Sequence, residues 1–218
     1  MNERLGAIAA YWNESAPAFD LEPDHGLSAE PTRLAWRRRI ADWLPEEPSD
    51  VLDAGCGTGS LSLLVAAAGH RVTGVDLAER MVEQARAKLA AAGQPGRFLV
   101  GDAAQPPVGE QRFDVLLCRH LLWTLPDPQA ALRRWTSLLR PGGRLVLVEG
   151  RWREAGAPVE PYTPGAVDLP WAGGVRADDL AAALRPLVRD LRVEPLEADE
   201  DLWGGPVRDE RYALLARI

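Results

Sequence analysis

Between residues 50 and 150, short apolar runs alternate with segments whose apolar positions recur every three or four residues. Residues 51–54 (Val-Leu-Asp-Ala) read as a strand, residues 60–68 as an apolar helix capped by Gly69, and residues 71–75 as a second strand ending at Asp76. Residues 78–92 place Met81, Val82, Ala85 and Leu89 at helical spacing. Residues 98–100 give a third strand and 113–118 a fourth. Residues 129–139 give a helix closed by Pro141-Gly142-Gly143, and 144–149 a fifth strand. This alternation predicts a parallel sheet covered by helices on both faces.

The flanks follow a different rhythm. Residues 32–43 carry Leu34, Ala35, Ile40, Ala41 and Trp43 among charges, a helical pattern that Pro45 ends, with Arg37-Arg38-Arg39 as a solvated face. Toward the carboxyl end, residues 176–187 read as a helix, and residues 191–197 and 211–218 as an antiparallel strand pair. Between those strands, Asp199 to Gly205 reads as a solvated acidic turn, with the rim of a pocket as the alternative. Residues 151–174 exceed an ordinary connection, and loops of that length commonly act on ligands.

The loop Asp53-Ala54-Gly55-Cys56-Gly57-Thr58-Gly59 follows the first strand, where open α/β sheets bind ligands. Its glycines run G-x-G-x-G. The dinucleotide fingerprint needs a further glycine where Ser60 or Ser62 stands, and no Gly-Lys-Ser/Thr follows, which disfavours nicotinamide cofactors and triphosphate hydrolysis. Glycines let a ligand lie against the backbone, and the N–H groups opening the next helix favour an anionic group. Asp76, 23 residues after Asp53, is placed to accept hydrogen bonds from ribose hydroxyls, and Asp102, after the third strand, from an adenine amino group. Each acid alone also fits a turn or helix cap. Three acids after three successive strands, beside a glycine loop, fit a nucleoside better.

Composition narrows the class. The 218 residues suit one α/β domain, 46% hydrophobic and 26% charged residues suit a soluble protein, and a net charge of −7 disfavours nucleic acid as a partner. No run is long enough to span a membrane, Met1-Asn2-Glu3-Arg4 opens no secretory segment, and Cys56 and Cys118 are too few for a disulfide framework, so the cytoplasm is expected. The two cysteines end neighbouring strands beside the loop but lack metal-ligand spacing, and no metal is expected.

The ordered segments VLDAGCGTG, VTGVDLAERM, GDAAQPPV, FDVLLCRHLLWTLPDP and LRPGGRLVLVEG resemble the motifs of class I S-adenosylmethionine-dependent methyltransferases, over about residues 50–150. AYWNESAPAFD is similar to the lid ahead of the fold in small-molecule members. The resemblance implies a Rossmann-like three-layer sandwich with a seven-stranded, mostly parallel sheet whose last strand is antiparallel. It divides one domain into a helical lid (residues 1–49), a cofactor core (50–150) and a substrate loop with a terminal hairpin (151–218). It implies S-adenosylmethionine as cofactor, with Asp53, Gly55, Cys56, Gly57, Thr58 and Gly59 around the methionine part and Asp76 on the ribose. Leu77 or Met81 would cover the adenine face, Asp102 and Ala103 its edge, and Tyr11 would bond the cofactor carboxylate. Cys118 and Arg119 complete the expected cofactor contacts.

Methyl transfer from a sulfonium needs alignment and exclusion of water more than a base, yet a hydroxyl or ammonium acceptor gains from a histidine. His120, after the fourth strand, and His25, if the amino-terminal segment folds over the site, are the candidates, while His70 falls at the opposite edge. Each also has a plain reading, His120 as a loop contact and His25 as a surface residue. Trp12, His25, Trp152, Tyr162 and Trp171 are the expected acceptor contacts, with ordinary packing as the alternative. The expectation is methylation of oxygen or nitrogen on a small molecule by a monomer or homodimer. A binding protein without turnover and a protein or RNA methyltransferase are the alternatives. Cys118-Arg119-His120-Leu121 stands where an amide- or base-methylating enzyme commonly has an Asn/Asp-Pro-Pro-Tyr motif, which disfavours that last reading.

Overall fold

A computed structural model describes residues 3–152 and 160–218. Seven strands, β1 (Asp50–Ala54), β2 (Arg71–Asp76), β3 (Arg97–Val100), β4 (Phe113–Arg119), β5 (Leu139–Arg151), β6 (Asp190–Pro195) and β7 (Glu210–Arg217), form one sheet in the order β3-β2-β1-β4-β5-β7-β6. Neighbours from β3 through β5 are parallel, and β7 runs against both β5 and β6. The strand order reverses between β1 and β4, and their parallel register places the ends of these two strands, Ala54 and Cys118, side by side.

The near-continuous apolar runs follow from burial on both faces. Side chains alternate across a strand, so Val51, Val115, Leu117, Val146 and Val148 join one core and Leu52, Ala54, Leu116, Leu145 and Leu147 the other. Helices α3 (Glu30–Trp43), α4 (Ser60–Ala67) and α5 (Glu79–Ala91) cover the first face with Trp36, Ile40, Val65, Val82 and Leu89. Helices α6 (Pro128–Leu138) and α7 (Ala177–Leu184) cover the second with Leu132, Trp135, Leu180 and Leu184. Helices α1 (Glu3–Phe19) and α2 (Pro23–Gly26) lie over the carboxyl ends of β1 and β2. The helical segment expected as one lid therefore divides: α1 and α2 cover the site, and α3 is part of the sandwich.

Three local expectations change. Leu139 already pairs with Phe113, so Pro141-Gly142-Gly143 does not close α6 but forms an irregular start to β5, where Gly142 takes φ 78° beside a register shift. The helix expected over residues 176–187 turns to a 3-10 form at Arg185–Leu187, because Pro186 has no N–H to continue the helical ladder. The acidic turn contains a short helix, α8 (Glu200–Trp203), whose Leu202 and Trp203 are buried; the Trp36 indole N–H donates to the Leu202 carbonyl at 2.8 Å. Arg37 and Arg38 are exposed as expected, but Arg39 pairs with Glu194 and Asp199.

Candidate functional site

At the end of β1 the Gly55 and Cys56 N–H groups both donate to the Val75 carbonyl of β2, at 2.8 and 3.1 Å, turning the chain sharply across the sheet edge. Gly55, Gly57 and Gly59 all take positive φ, 73°, 51° and 81°. A side chain on Gly59 would fall 2.8–2.9 Å from Ala85, so that glycine serves the approach of α4 to α5 rather than a ligand. Gly57 faces open space bounded only by the Phe19 ring.

Asp76 organises this loop. Its Oδ2 accepts the Gly57 N–H and its Oδ1 the Ala78 N–H, both at 2.9 Å. Burial raises its carboxyl above the ordinary range, against those two hydrogen bonds. Asp53 accepts the Ser62 hydroxyl at 2.6 Å, anchoring the start of α4, and burial pushes it up to about 6. Asp102 accepts the Ala104 N–H at 2.9 Å, the turn role open to it from sequence, and it lines the same space as Asp53 and Asp76.

That space is a cavity of about 410 Å³ between the sheet edge and α1. Of the residues expected around a cofactor, Asp53, Gly55, Cys56, Gly57, Thr58, Asp76, Leu77, Met81, Asp102, Ala103 and Arg119 line it. Three do not. Gly59 faces α5. Cys118 alternates with Leu117 and Arg119 along β4, so its thiol enters the core face opposite that of Cys56 and the two cysteines do not meet. Tyr11 neighbours Trp12 on α1 and so points about 100° away from it; Trp12 lines the cavity, while Tyr11 packs on Tyr162 with ring centres 4.8 Å apart.

The lid is tied down by ions. Asp20, just past α1, accepts the Thr58 hydroxyl at 2.5 Å and pairs with Lys88 of α5 at 2.8 Å. Arg4 donates to the Gly165 carbonyl at 2.9 Å and to that of Val167, joining α1 to the long loop. Part of that loop, residues 153–159, lies outside the described residues. Of its aromatics, Trp152 lines the cavity. Tyr162 packs behind Trp12 and Trp123, and Trp171 joins the core under α7.

At the far end of the cavity both candidate histidines converge from opposite parts of the chain. His25 stacks on Phe19 at 4.3 Å, and one donor atom each of Asp24, His25 and His120 lies within 4.8 Å of the others. His120 takes φ 55°, an unusual backbone for a residue with a side chain, held by its N–H to the Val148 carbonyl and by a stack on Trp203. Among the described residues, its Nε2 is buried without a hydrogen-bond partner. Burial first, then Arg119, Arg211 and His25, hold the imidazole well below its ordinary pKa, and burial lowers His25 too, so both rings are neutral at neutral pH. Arg211 lies between the Trp152 and Trp203 rings at 4.9 and 4.7 Å, 3.7 Å from the Asp24 carboxylate. Arg119 donates to the Asp24 carbonyl at 2.5 Å. The trio resembles a metal-ligand set in its atoms, but two guanidiniums beside Asp24 oppose a divalent cation there. His70 lies at the other end of β2, where it accepts the Ser49 N–H at 3.2 Å.

Asp24, Phe19, Trp123, Trp203 and Arg211 were not singled out from sequence as site residues. Asp24 stood beside His25 and was within reach of inspection. Trp203 stood in the turn for which a pocket rim was the second reading, while Arg211 carried no signal, since only the order of β7 in the sheet brings it here.

Residues 52–147 match the family described as a methyltransferase domain. The ubiquinone biosynthesis O-methyltransferase of Bordetella avium is 34% identical over 144 residues, 65% of this chain and 56% of that protein. The demethylmenaquinone methyltransferase of Thermus thermophilus is 37% identical over 141 residues, 63% of each. The chain spans a little over half the length of these curated relatives. Among solved structures, the N-methyltransferase NodS from Bradyrhizobium japonicum in complex with S-adenosyl-L-homocysteine aligns with a TM-score of 0.68 at 17% identity, covering 95% of this chain and 98% of that one. The [4+2]-cyclase SpnF aligns with a TM-score of 0.68 at 23% identity, covering 84% and 79%. These two likenesses concern the fold.

Proposed function

We propose that this chain is a class I S-adenosylmethionine-dependent methyltransferase, that its cavity binds S-adenosylmethionine and that the protein methylates a small molecule; the match of residues 52–147 to the methyltransferase domain and the likeness to small-molecule methyltransferases support the reading. The observation that carries this reading is Asp76, a buried carboxylate at the end of β2 that organises the glycine loop and still faces the cavity. Each of its oxygens accepts one backbone N–H and keeps a lone pair for a ribose hydroxyl. Leu77 and Met81 offer an apolar wall for an adenine, Asp102 and Ala103 a polar edge, and Asp53 and Gly57 a cradle for an amino-acid tail. The bound cofactor would supply an electrophilic methyl group and its own driving force. The lid helix excludes water, and Phe19 and Trp12 close the space over Gly57.

Within the expected choice of oxygen or nitrogen, the acceptor end favours oxygen. Arg119 and Arg211 disfavour a protonated amine and stabilise a developing oxyanion, and two neutral imidazoles are ready to take a hydroxyl proton. His120, with its unpartnered Nε2, is the first candidate base and His25 the second. Trp12, Trp123 and Trp152 suit an acceptor with a flat apolar body. A net charge of −7 favours a small-molecule partner over nucleic acid, and we assign the protein to the cytoplasm as a monomer or homodimer.

Calorimetric titration with S-adenosylmethionine, S-adenosylhomocysteine and NAD, beside Asp76→Ala, tests the cofactor. Binding of the two adenosyl ligands alone, weakened in the variant, is expected; binding of NAD alone would overturn the reading. Release of S-adenosylhomocysteine across a panel of phenols and amines then tests transfer. A cofactor-binding protein without turnover is the second reading, since the fold alone, shared here with a protein named as a cyclase, does not fix methyl transfer. It would show binding with no transfer to any acceptor.

A further inference from the structure

Glu149 ends the apolar stretch Leu145-Val146-Leu147-Val148 of β5, and its side chain is fully buried. It does not line the cavity and plays no part in the chemistry above. A carboxyl group in this position is costly to bury unless its oxygens are used. One of them is used twice: Oε1 accepts the Leu121 N–H at 3.0 Å and the Leu122 N–H at 2.9 Å. These are the residues directly after His120, at the opening of the 3-10 turn Leu122–Thr124, where backbone donors have no partner within the turn itself. Oε2 is buried and has no partner among the described residues. Burial pushes the carboxyl up to about 8, so at neutral pH the group is un-ionised, with the proton on one oxygen and the other free to accept.

What the two bonds hold is the wall of the site. The Leu121 side chain packs directly over the glycine loop, close enough that a side chain on Gly55 would fall 2.9 Å from it. His120 precedes it in a left-handed backbone conformation, and its carbonyl accepts the Trp123 indole N–H at 2.8 Å. The Thr124 hydroxyl closes the turn on the Leu121 carbonyl at 2.7 Å. His120, Leu121, Trp123 and Thr124 all line the cavity, so one short turn supplies the candidate base, the cover of the glycine loop and an aromatic wall. Strain of this kind persists only where neighbours over-determine it.

We infer that Glu149 is a positioning residue of the site: by accepting both the Leu121 and Leu122 N–H groups it fixes the turn that aims His120 into the cavity and seats Leu121 on Gly55. The inference rests on the proposed cofactor reading only for its ligand; the geometry of His120 is read without one. The carbonyl oxygen of a glutamine can accept the same two bonds, whereas a methionine of similar length cannot.

The test compares Glu149→Gln and Glu149→Met by three measurements on the full chain. These are amide hydrogen exchange at residues 121 and 122, the imidazole signals of His120 by NMR, and the affinity for S-adenosylhomocysteine by calorimetry. Glu149→Gln is expected to keep both amides protected, the His120 signals in place and the affinity within threefold. Glu149→Met, still unfolding cooperatively, is expected to lose protection at those amides, shift the His120 signals and bind at least tenfold more weakly. Wild-type amides and His120 signals in Glu149→Met would overturn the inference, as would Glu149→Gln losing all three. If Glu149→Met does not fold, Glu149→Gln decides alone, since loss of protection at residues 121 and 122 in that variant contradicts the acceptor role. Failure of the wild-type protein to bind S-adenosylhomocysteine would instead overturn the cofactor reading and leave the two ligand-free measurements standing.

Discussion

Lys88 on α5 holds its ammonium 2.8 Å from the Asp20 carboxylate, and through that pair the helix beneath the glycine loop is joined to the lid above it. The same ammonium donates to the Thr58 and Ser60 hydroxyls at 3.0 and 2.7 Å, so loop, lid and helix meet at one charge. Substituting Lys88→Met removes the ion and keeps the stem. The expected result is faster amide exchange across residues 10–20 and a loss of about 1 kcal/mol, roughly fivefold, in affinity for S-adenosylhomocysteine. Unchanged exchange in the lid would show that its apolar contacts hold it without the pair.

Two glycines in one loop separate stability from binding. Gly59→Ala meets the α5 backbone and a positive φ together and should cost about 3 kcal/mol by urea denaturation. Gly57→Ala has room for its methyl group and should cost about 1 kcal/mol for its φ alone, yet weaken S-adenosylhomocysteine binding more than Gly59→Ala does. Equal losses of stability in the two would contradict the packing described for Gly59.

Asp76→Asn keeps the size of the side chain, removes its charge and leaves one oxygen for the Gly57 and Ala78 N–H groups, so one of the two anchoring bonds is lost with the charge. A loss of about 1 to 3 kcal/mol in cofactor affinity is expected from a weakened charge-assisted contact to the ribose hydroxyls. Calorimetry at fixed pH measures it directly, and an unchanged affinity would take Asp76 out of the site.

Glu149 makes stability depend on pH in an unusual direction. Its carboxyl sits at about 8 in the folded chain against an ordinary value of 4.5, so between these limits the folded state keeps a proton that the unfolded state has lost. The contribution is complete below the lower value and is lost as pH rises through the window, at up to about 1.4 kcal/mol per pH unit. Glu149→Gln cannot ionise, so its stability relative to wild type should rise by that amount per unit from pH 6 to 8. A constant difference across this range would show that the carboxyl is ionised when folded.

His120 has the opposite sign. Its folded pKa lies well below the ordinary 6.5, so the neutral ring contributes stability above that value, and the contribution is lost as pH falls. NMR titration should give a midpoint well below the ordinary 6.5, and Arg211→Gln, which removes one of the charges that depress it, should raise that midpoint. A midpoint near 6.5 would place the ring in water.

The cavity lining at the ends of β1, β2 and β3 was legible in the sequence because its spacing is local. The run from Asp53 to Gly59, then Asp76, then Asp102 each follow a strand directly, and the parallel order brings those strand ends to one edge. Gly59 was read for the wrong reason, since its neighbour Ala85 lies on another helix. Tyr11 and Cys118 failed by one step of periodicity each: the neighbours Trp12 and Arg119 face the cavity in their place. The acceptor half was half legible. His25 and His120 could be named, but Arg211, Trp203 and Glu149 act through strand order, a buried turn and two backbone bonds, none of which leaves a motif.

The reversed direction of β7 has a consequence for how such a site changes. The parallel strands bring their carboxyl ends to the cavity, while β7 brings its amino-terminal end there, which is how Arg211 reaches Trp152 and Asp24. The glycine loop and the acids beside it thus lie in the first half of the chain. Of the two guanidiniums beside Asp24, Arg119 stands on β4, whereas Arg211, with Trp203, stands on the hairpin of β6 and β7, which makes none of the glycine loop's hydrogen bonds. Exchange of that hairpin tip together with the lid segment offers a route to a new acceptor that leaves the glycine-loop half of the pocket as it stands.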